Sequence, residues 1–190
     1  RQKHQLLFIK AYMYGFEGSQ DKAIELAKSI QRSPHIAYKI KANLLLATVH
    51  EHKKDYLRAY EYLYNALYVS QDLASADSLL QLNLYTVATQ LHLSAGAHAK
   101  AYDFASTIIK TAENNRALCI GNALMINAAV RMKRSFPIED AVQKTIDVCQ
   151  KANEPLIRNA TDIYAAELYV EANPAKVRDK MQQILPELES

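Results

Sequence analysis

The residues of this chain whose types could do chemistry are a His-Glu-His triplet, a few carboxylates and two cysteines. His50-Glu51-His52 invites a metal reading, but residues two apart on a helix diverge by about 200°, so the imidazoles cannot converge as an i, i+4 pair does. His4, His35, His92 and His98 stand singly along the chain, so neither a metal nor another cofactor is expected. Catalysis fares no better. The sequence holds no glycine-rich phosphate loop, no zinc-protease pair and no nucleophile elbow. Glu51 and Asp55 fall on an exposed helical face among lysines, a poor setting for acid-base work. The chain reads as non-catalytic.

Composition narrows the class further. With 49% apolar and 23% charged residues but only 4 Gly and 5 Pro in 190, the chain has a folded, helix-rich composition without a disorder signature. The longest apolar run, near Ala42 to Val49, is far short of the roughly 18 residues a membrane span needs, so no membrane insertion is expected. A net charge of +3 is spread among 20 acidic residues with no basic stripe, so nucleic acid is not an expected partner. The chain begins at Arg1 rather than Met. The expectation is a piece of a longer protein whose flanks carry a signal peptide, a membrane anchor or an effector domain.

The elements that must position any site follow from a repeat of small residues. Ala23, Ala59, Ala101 and Ala141 are separated by 36, 42 and 40 residues, with Val177 another 36 on. Each is preceded by a second small residue: Ala11, Ala47, Thr89, Ala129 and Ala165. Small residues facing one another let antiparallel helices approach to about 8 Å, which predicts five helical hairpins. The expected helices are 3–15, 20–32, 35–53, 55–71, 74–95, 97–113, 116–133, 137–152, 154–172 and 174–188. Gly15, Gly18 and Gly96 suit left-handed turns, and Asp21, Asp55, Ser75 and Asn115 suit helix starts. Leu80, Leu84, Val87, Ala88 and Leu91 form one apolar stripe, with Gln81, Asn83 and Gln90 away from it.

The same scheme places the cysteines. In the fourth hairpin Ala129 faces Ala141, which puts Cys119 and Cys149 at nearly the same height on antiparallel helices. A disulfide is within reach if both side chains turn inward; two buried thiols are the alternative. A bond would indicate an oxidising compartment. Of the clustered tyrosines, Tyr56, Tyr60 and Tyr64 step by four and are expected to fill a crevice, leaving Tyr62 to face outward.

Lys54-Asp55-Tyr56-Leu57-Arg58-Ala59-Tyr60, followed by Leu63, Ala66 and Leu67 and preceded by Leu46-Ala47, closely resembles the turn and second helix of a tetratricopeptide repeat. The likeness extends in weaker form over 4–32 and 76–113 and thins after 116. It departs from the family where Ala or Thr replaces the usual glycine and where the repeat length drifts to 42. The resemblance implies an all-α fold: a right-handed α-α superhelix of about five antiparallel pairs, forming one domain over 1–190. In such superhelices the first helix of each pair lines a concave groove. By phase this implies Tyr12, Phe16, Lys41, Thr48, Glu51, His52, Asn83, Thr86, Gln90, Asn127, Asn159 and Asp162 as groove residues. Their mix of amides and hydroxyls suits an extended peptide, with a small ligand as the other option. The family's clamp for an acidic chain terminus is incomplete, because Leu44 and Ile126 stand where polar groups would help.

Asn114-Asn115-Arg116-Ala117-Leu118-Cys119 also resembles the helical sensor regions fused ahead of bacterial diguanylate cyclases and histidine kinases. That likeness implies a ligand- or protein-binding sensor domain of a bacterial signalling protein, outside the cytoplasm. A general protein-interaction scaffold, which could be cytoplasmic, is the alternative. Leu6, Leu7, Phe8 and Ile9 give the first helix more apolar surface than a capping helix tolerates, so a cover is expected, from further N-terminal residues or a partner such as a second copy.

Overall fold

A computed structural model describes residues 2–71, 77–132, 138–172 and 182. The regular secondary structure of these residues is entirely α-helical: α1 (Gln2–Phe16), α2 (Gln20–Gln31), α3 (Ile36–His52), α4 (Tyr56–Ser70), α5 (Ser78–Ser94), α6 (His98–Lys110), α7 (Asn115–Arg131), α8 (Ile138–Lys151) and α9 (Pro155–Ala172). The helix expected over 174–188, with Pro174, Val177 and Pro186, lies outside the described residues except for Gln182, as does Ser75. The chain divides into two compact units, residues 1–95 and 96–190.

Helix ends follow from local chemistry. Gly18, Lys54 and Gly96 take φ of +79°, +60° and +78°, each five residues ahead of a fully buried alanine: Ala23, Ala59 and Ala101. One turn is therefore used three times, with lysine standing once where glycine is easiest. At Lys54 the backbone N–H donates to the Glu51 carbonyl at 2.9 Å, and the next N–H reaches back to His50 at 2.9 Å, satisfying two orphan carbonyls of α3. Asp55 then accepts from the Arg58 N–H and caps α4. Three expected starts move. Ser19, not Asp21, precedes α2, and Asp21 lies within its first turn. Asp77, through its bond from the Leu80 N–H at 3.0 Å, caps α5, so this helix begins at Ser78 rather than 74. Asn114 instead of Asn115 caps α7, accepting from the Ala117 N–H. Gly15 is not a turn residue: it lies inside α1, and Gly18 alone makes that turn.

In the first unit α1 packs on α2, α2 on α3, and α3 on α1, α4 and α5. Its core joins Ala11, Ala23, Ala27, Ile30, Ala42, Leu45, Leu46 and Val49, with Leu7, Phe8 and Tyr62 packed against it. The expected facing residues Ala11 with Ala23 and Ala47 with Ala59 are all buried. On α1, Leu6 and Ile9 remain exposed.

In the second unit α7 packs against α6, α8 and α9, and α8 against α9. Gly121 sets the approach of α6 to α7, since a Cβ there would lie 2.9 Å from Ile108 Cγ2 and 3.2 Å from its Cβ. Ile126, Val130, Val142 and Ala165 form a core cluster. The alternative left open for the cysteines resolves to a bond: Cys119 on α7 and Cys149 on α8 form a disulfide with Cα atoms 4.8 Å apart, both wholly buried. An ion pair of 2.7 Å between Arg116 and Glu154 ties the start of α7 to the residue preceding α9.

Candidate functional site

The first unit holds a cleft of about 820 Å³, lined from one side each of α1, α3 and α5, with Gly18 and Gln20 from the α1–α2 turn. Phe8, Tyr12 and Gly15 come from α1, Lys41, Leu45, Thr48 and His52 from α3, and Leu80, Asn83, Val87 and Gln90 from α5. These spacings are one face of a 3.6-residue period, so the wall is a direct product of three helices presenting equivalent sides. The volume lies within the range of roughly 300–1,000 Å³ that small-molecule sites occupy.

Seven of the expected groove residues line the cleft: Tyr12, Lys41, Thr48, His52, Asn83, Thr86 and Gln90. Phe16 belongs to α1, with its side chain outside the described set. Glu51 is turned elsewhere and accepts a hydrogen bond from the Ser94 hydroxyl, joining the ends of α3 and α5. Asn127, Asn159 and Asp162 lie in the second unit as buried polar groups. Asn127 accepts from Arg131 Nε at 2.8 Å, and Asn159 accepts from the Arg158 guanidinium.

Sequence reasoning missed Phe8, Gln20 and most of the apolar floor, Leu45, Val49, Leu80 and Val87, and placed only Leu44 of it in the groove. The signal was present: the stripe through Tyr12 runs back to Phe8, and the stripe through Lys41 and Thr48 includes Leu45. Polar groups on this wall are partly spoken for. Thr48 Oγ1 donates to the Leu44 carbonyl at 3.1 Å, while Thr86 Oγ1 is shut off from solvent without a hydrogen-bond partner.

The His-Glu-His triplet separates as helical phase requires. His50 is buried, with Nδ1 3.2 Å from Asp55 Oδ2 and its ring stacked on Tyr62, whereas His52 faces the cleft. Among the described residues no group of three or more His, Cys, Asp or Glu could hold a metal ion, and no helix is long and apolar enough to cross a membrane.

The tyrosine expectation needs correction. Tyr62 joins Ala59, Leu63 and Ala66 on the inward side of α4 and packs against the core, while Tyr64 and Tyr68 are exposed. Tyr56 donates to the Ser94 carbonyl at 3.2 Å, and Tyr60 meets His92 edge-on at 5.0 Å. Burial, reinforced by Tyr64, Glu51 and Tyr56, pushes the Tyr60 phenol above its usual range.

No protein-family model matches the chain, and neither the curated proteins nor the solved structures contain a significant match to it.

Proposed function

We propose that this chain is a non-catalytic, tetratricopeptide-like module that binds a ligand in the first-unit cleft and serves as the sensory part of a bacterial signalling protein. The helix pairs of such a module continue into a right-handed superhelix. Ligand binding passes a conformational or oligomeric change to an output domain such as a diguanylate cyclase or histidine kinase. The observation that carries the binding reading is the cleft itself, built from equivalent stripes of α1, α3 and α5. Recurrence of one turn before Ala23, Ala59 and Ala101 supports the repeat reading. The Cys119–Cys149 bond favours an extracytoplasmic sensor, because disulfides persist in oxidising compartments.

A second reading, a protein-interaction scaffold, is favoured by a different surface. Leu57, Tyr64 and Tyr68 are 84%, 53% and 73% exposed along one side of α4. Large apolar and aromatic side chains in such a row are the usual material of interface anchors.

The two readings separate in a thermal-shift screen of a small-molecule library against the chain and against Thr48→Trp, which plugs the cleft. The binding reading expects compounds that raise the melting temperature of the unmodified chain and not of the variant. A library without any compound that discriminates the two proteins sinks it.

A further inference from the structure

The cleft is lopsided in charge. Of the described side chains that line it, Lys41 alone carries a permanent charge, and none is a carboxylate. The Lys41 ammonium lies 5.9 Å from the Phe8 ring centre and 5.8 Å from that of Tyr38. Aromatic faces hold a cation in place without neutralising it. None of the ion pairs among the described residues engages Lys41. One end of the cleft therefore presents a partly buried positive charge with no ion-pair partner among the described residues, and it favours an anionic group.

The rest of the cleft argues about the body of the ligand. Its floor is Leu44, Leu45, Val49, Leu80 and Val87. The threonine hydroxyls on this wall offer little: Thr48 donates to its own helix, and Thr86 Oγ1 is closed off from solvent. An extended peptide would lay backbone N–H and C=O groups across a floor whose leucines and valines offer no partner, leaving only the amides of Gln20, Asn83 and Gln90 with Tyr12 and His52 to meet them, and each unpaired buried group is costly. A ligand whose polar atoms sit at one end avoids that cost. The lining stretch of α3 from Lys41 to His52 measures about 16 Å at the helical rise, so the ligand is long.

We infer that the cleft takes an elongated amphipathic monoacid, its carboxylate at Lys41 and its apolar body over the leucine and valine floor. This inference rests on the binding reading above and names its ligand class. It also revises the expectation of a peptide.

The test is calorimetric titration of the 190-residue chain with decanoate, decan-1-ol and decyltrimethylammonium, each below its aggregation concentration. A charge-assisted contact of ordinary strength makes decanoate bind roughly tenfold or more tightly than the alcohol. Lys41→Met keeps the apolar stem between the rings; it should abolish the preference for decanoate over decanol, and Lys41→Arg should restore it. Circular dichroism checks that each variant is folded. Equal binding of the three probes, or a decanoate preference that survives Lys41→Met, overturns the acid assignment and leaves the cleft as a binding site. Tighter binding of an acidic Ser/Glu decapeptide than of decanoate overturns it in favour of a peptide. Failure of every probe, together with an empty library screen, removes both readings.

Discussion

Breaking the Cys119–Cys149 bond has a consequence whose size follows from the structure. The bond closes a loop across 30 residues between α7 and α8. Loop-closure entropy for that length gives a stabilisation of roughly 3.5 kcal/mol, by restricting the unfolded chain. For a domain with a urea slope of about 1.5 kcal/mol per molar, the midpoint should fall by roughly 2 M when the bond is lost. Two perturbations bracket the effect. A phosphine reductant leaves both sulfurs in place, whereas Cys119→Ala with Cys149→Ala removes them and adds a small packing loss in the core. Far-UV circular dichroism follows the transition, and hydrogen exchange assigns it, with lost protection concentrated in residues 96–190. A midpoint displaced by less than about 0.5 M would refute the reasoning, as would two thiols labelled in the unreduced, denatured protein.

Other substitutions probe the packing and the turns. Gly15→Ala should stabilise the first unit by about 0.5–1 kcal/mol, because the new methyl meets Leu45 and Val49 at an ordinary 3.8 Å and the helix loses a glycine. The same exchange at Gly121 should cost about 1–2 kcal/mol, since a methyl 2.9 Å from Ile108 overpacks the α6–α7 contact; a fall in the denaturation midpoint for Gly15→Ala, or a rise for Gly121→Ala, would contradict the respective prediction. Lys54→Gly, which relieves a left-handed φ of +60°, should gain about 0.5–1 kcal/mol in the same assay. Because the Tyr60 phenol is raised by burial first and by Tyr64, Glu51 and Tyr56 after it, folding is favoured while the phenol stays protonated. That contribution is complete below the unfolded phenol's value near 10 and is lost as pH climbs through the folded one; Tyr60→Phe should flatten the decline.

Much of the helical layout was legible because it rests on local rules. Buried Ala11, Ala23, Ala47 and Ala59 mark the α1–α2 and α3–α4 contacts that the spacing of small residues announced. What was misread came from choosing one signal over another. Gly15 looked like a turn, yet Gly18 takes the positive φ and releases Gly15 into the helix. Tyr62 turns inward because it falls three residues after Ala59 on the stripe shared with Leu63 and Ala66; helical phase outweighs the run of tyrosines. The polar half of the cleft could be named from phase alone, but its apolar floor could not be told from core. Leucines such as Leu44 and Leu45 serve a core and a cleft with the same chemistry, and only the arrangement of α1, α3 and α5 separates the two. Buried amides such as Asn127 and Asn159 show the reverse confusion, polar in type yet engaged with neighbouring arginines.

The most direct test of the account is a chemical-shift titration of the isotope-labelled chain with decanoate. The account predicts shifts confined to the cleft faces of α1, α3 and α5, largest around Lys41, Phe8 and Leu45, and absent when Trp replaces Thr48. Shifts scattered over α4 or the second unit, or no shifts at all, would contradict it.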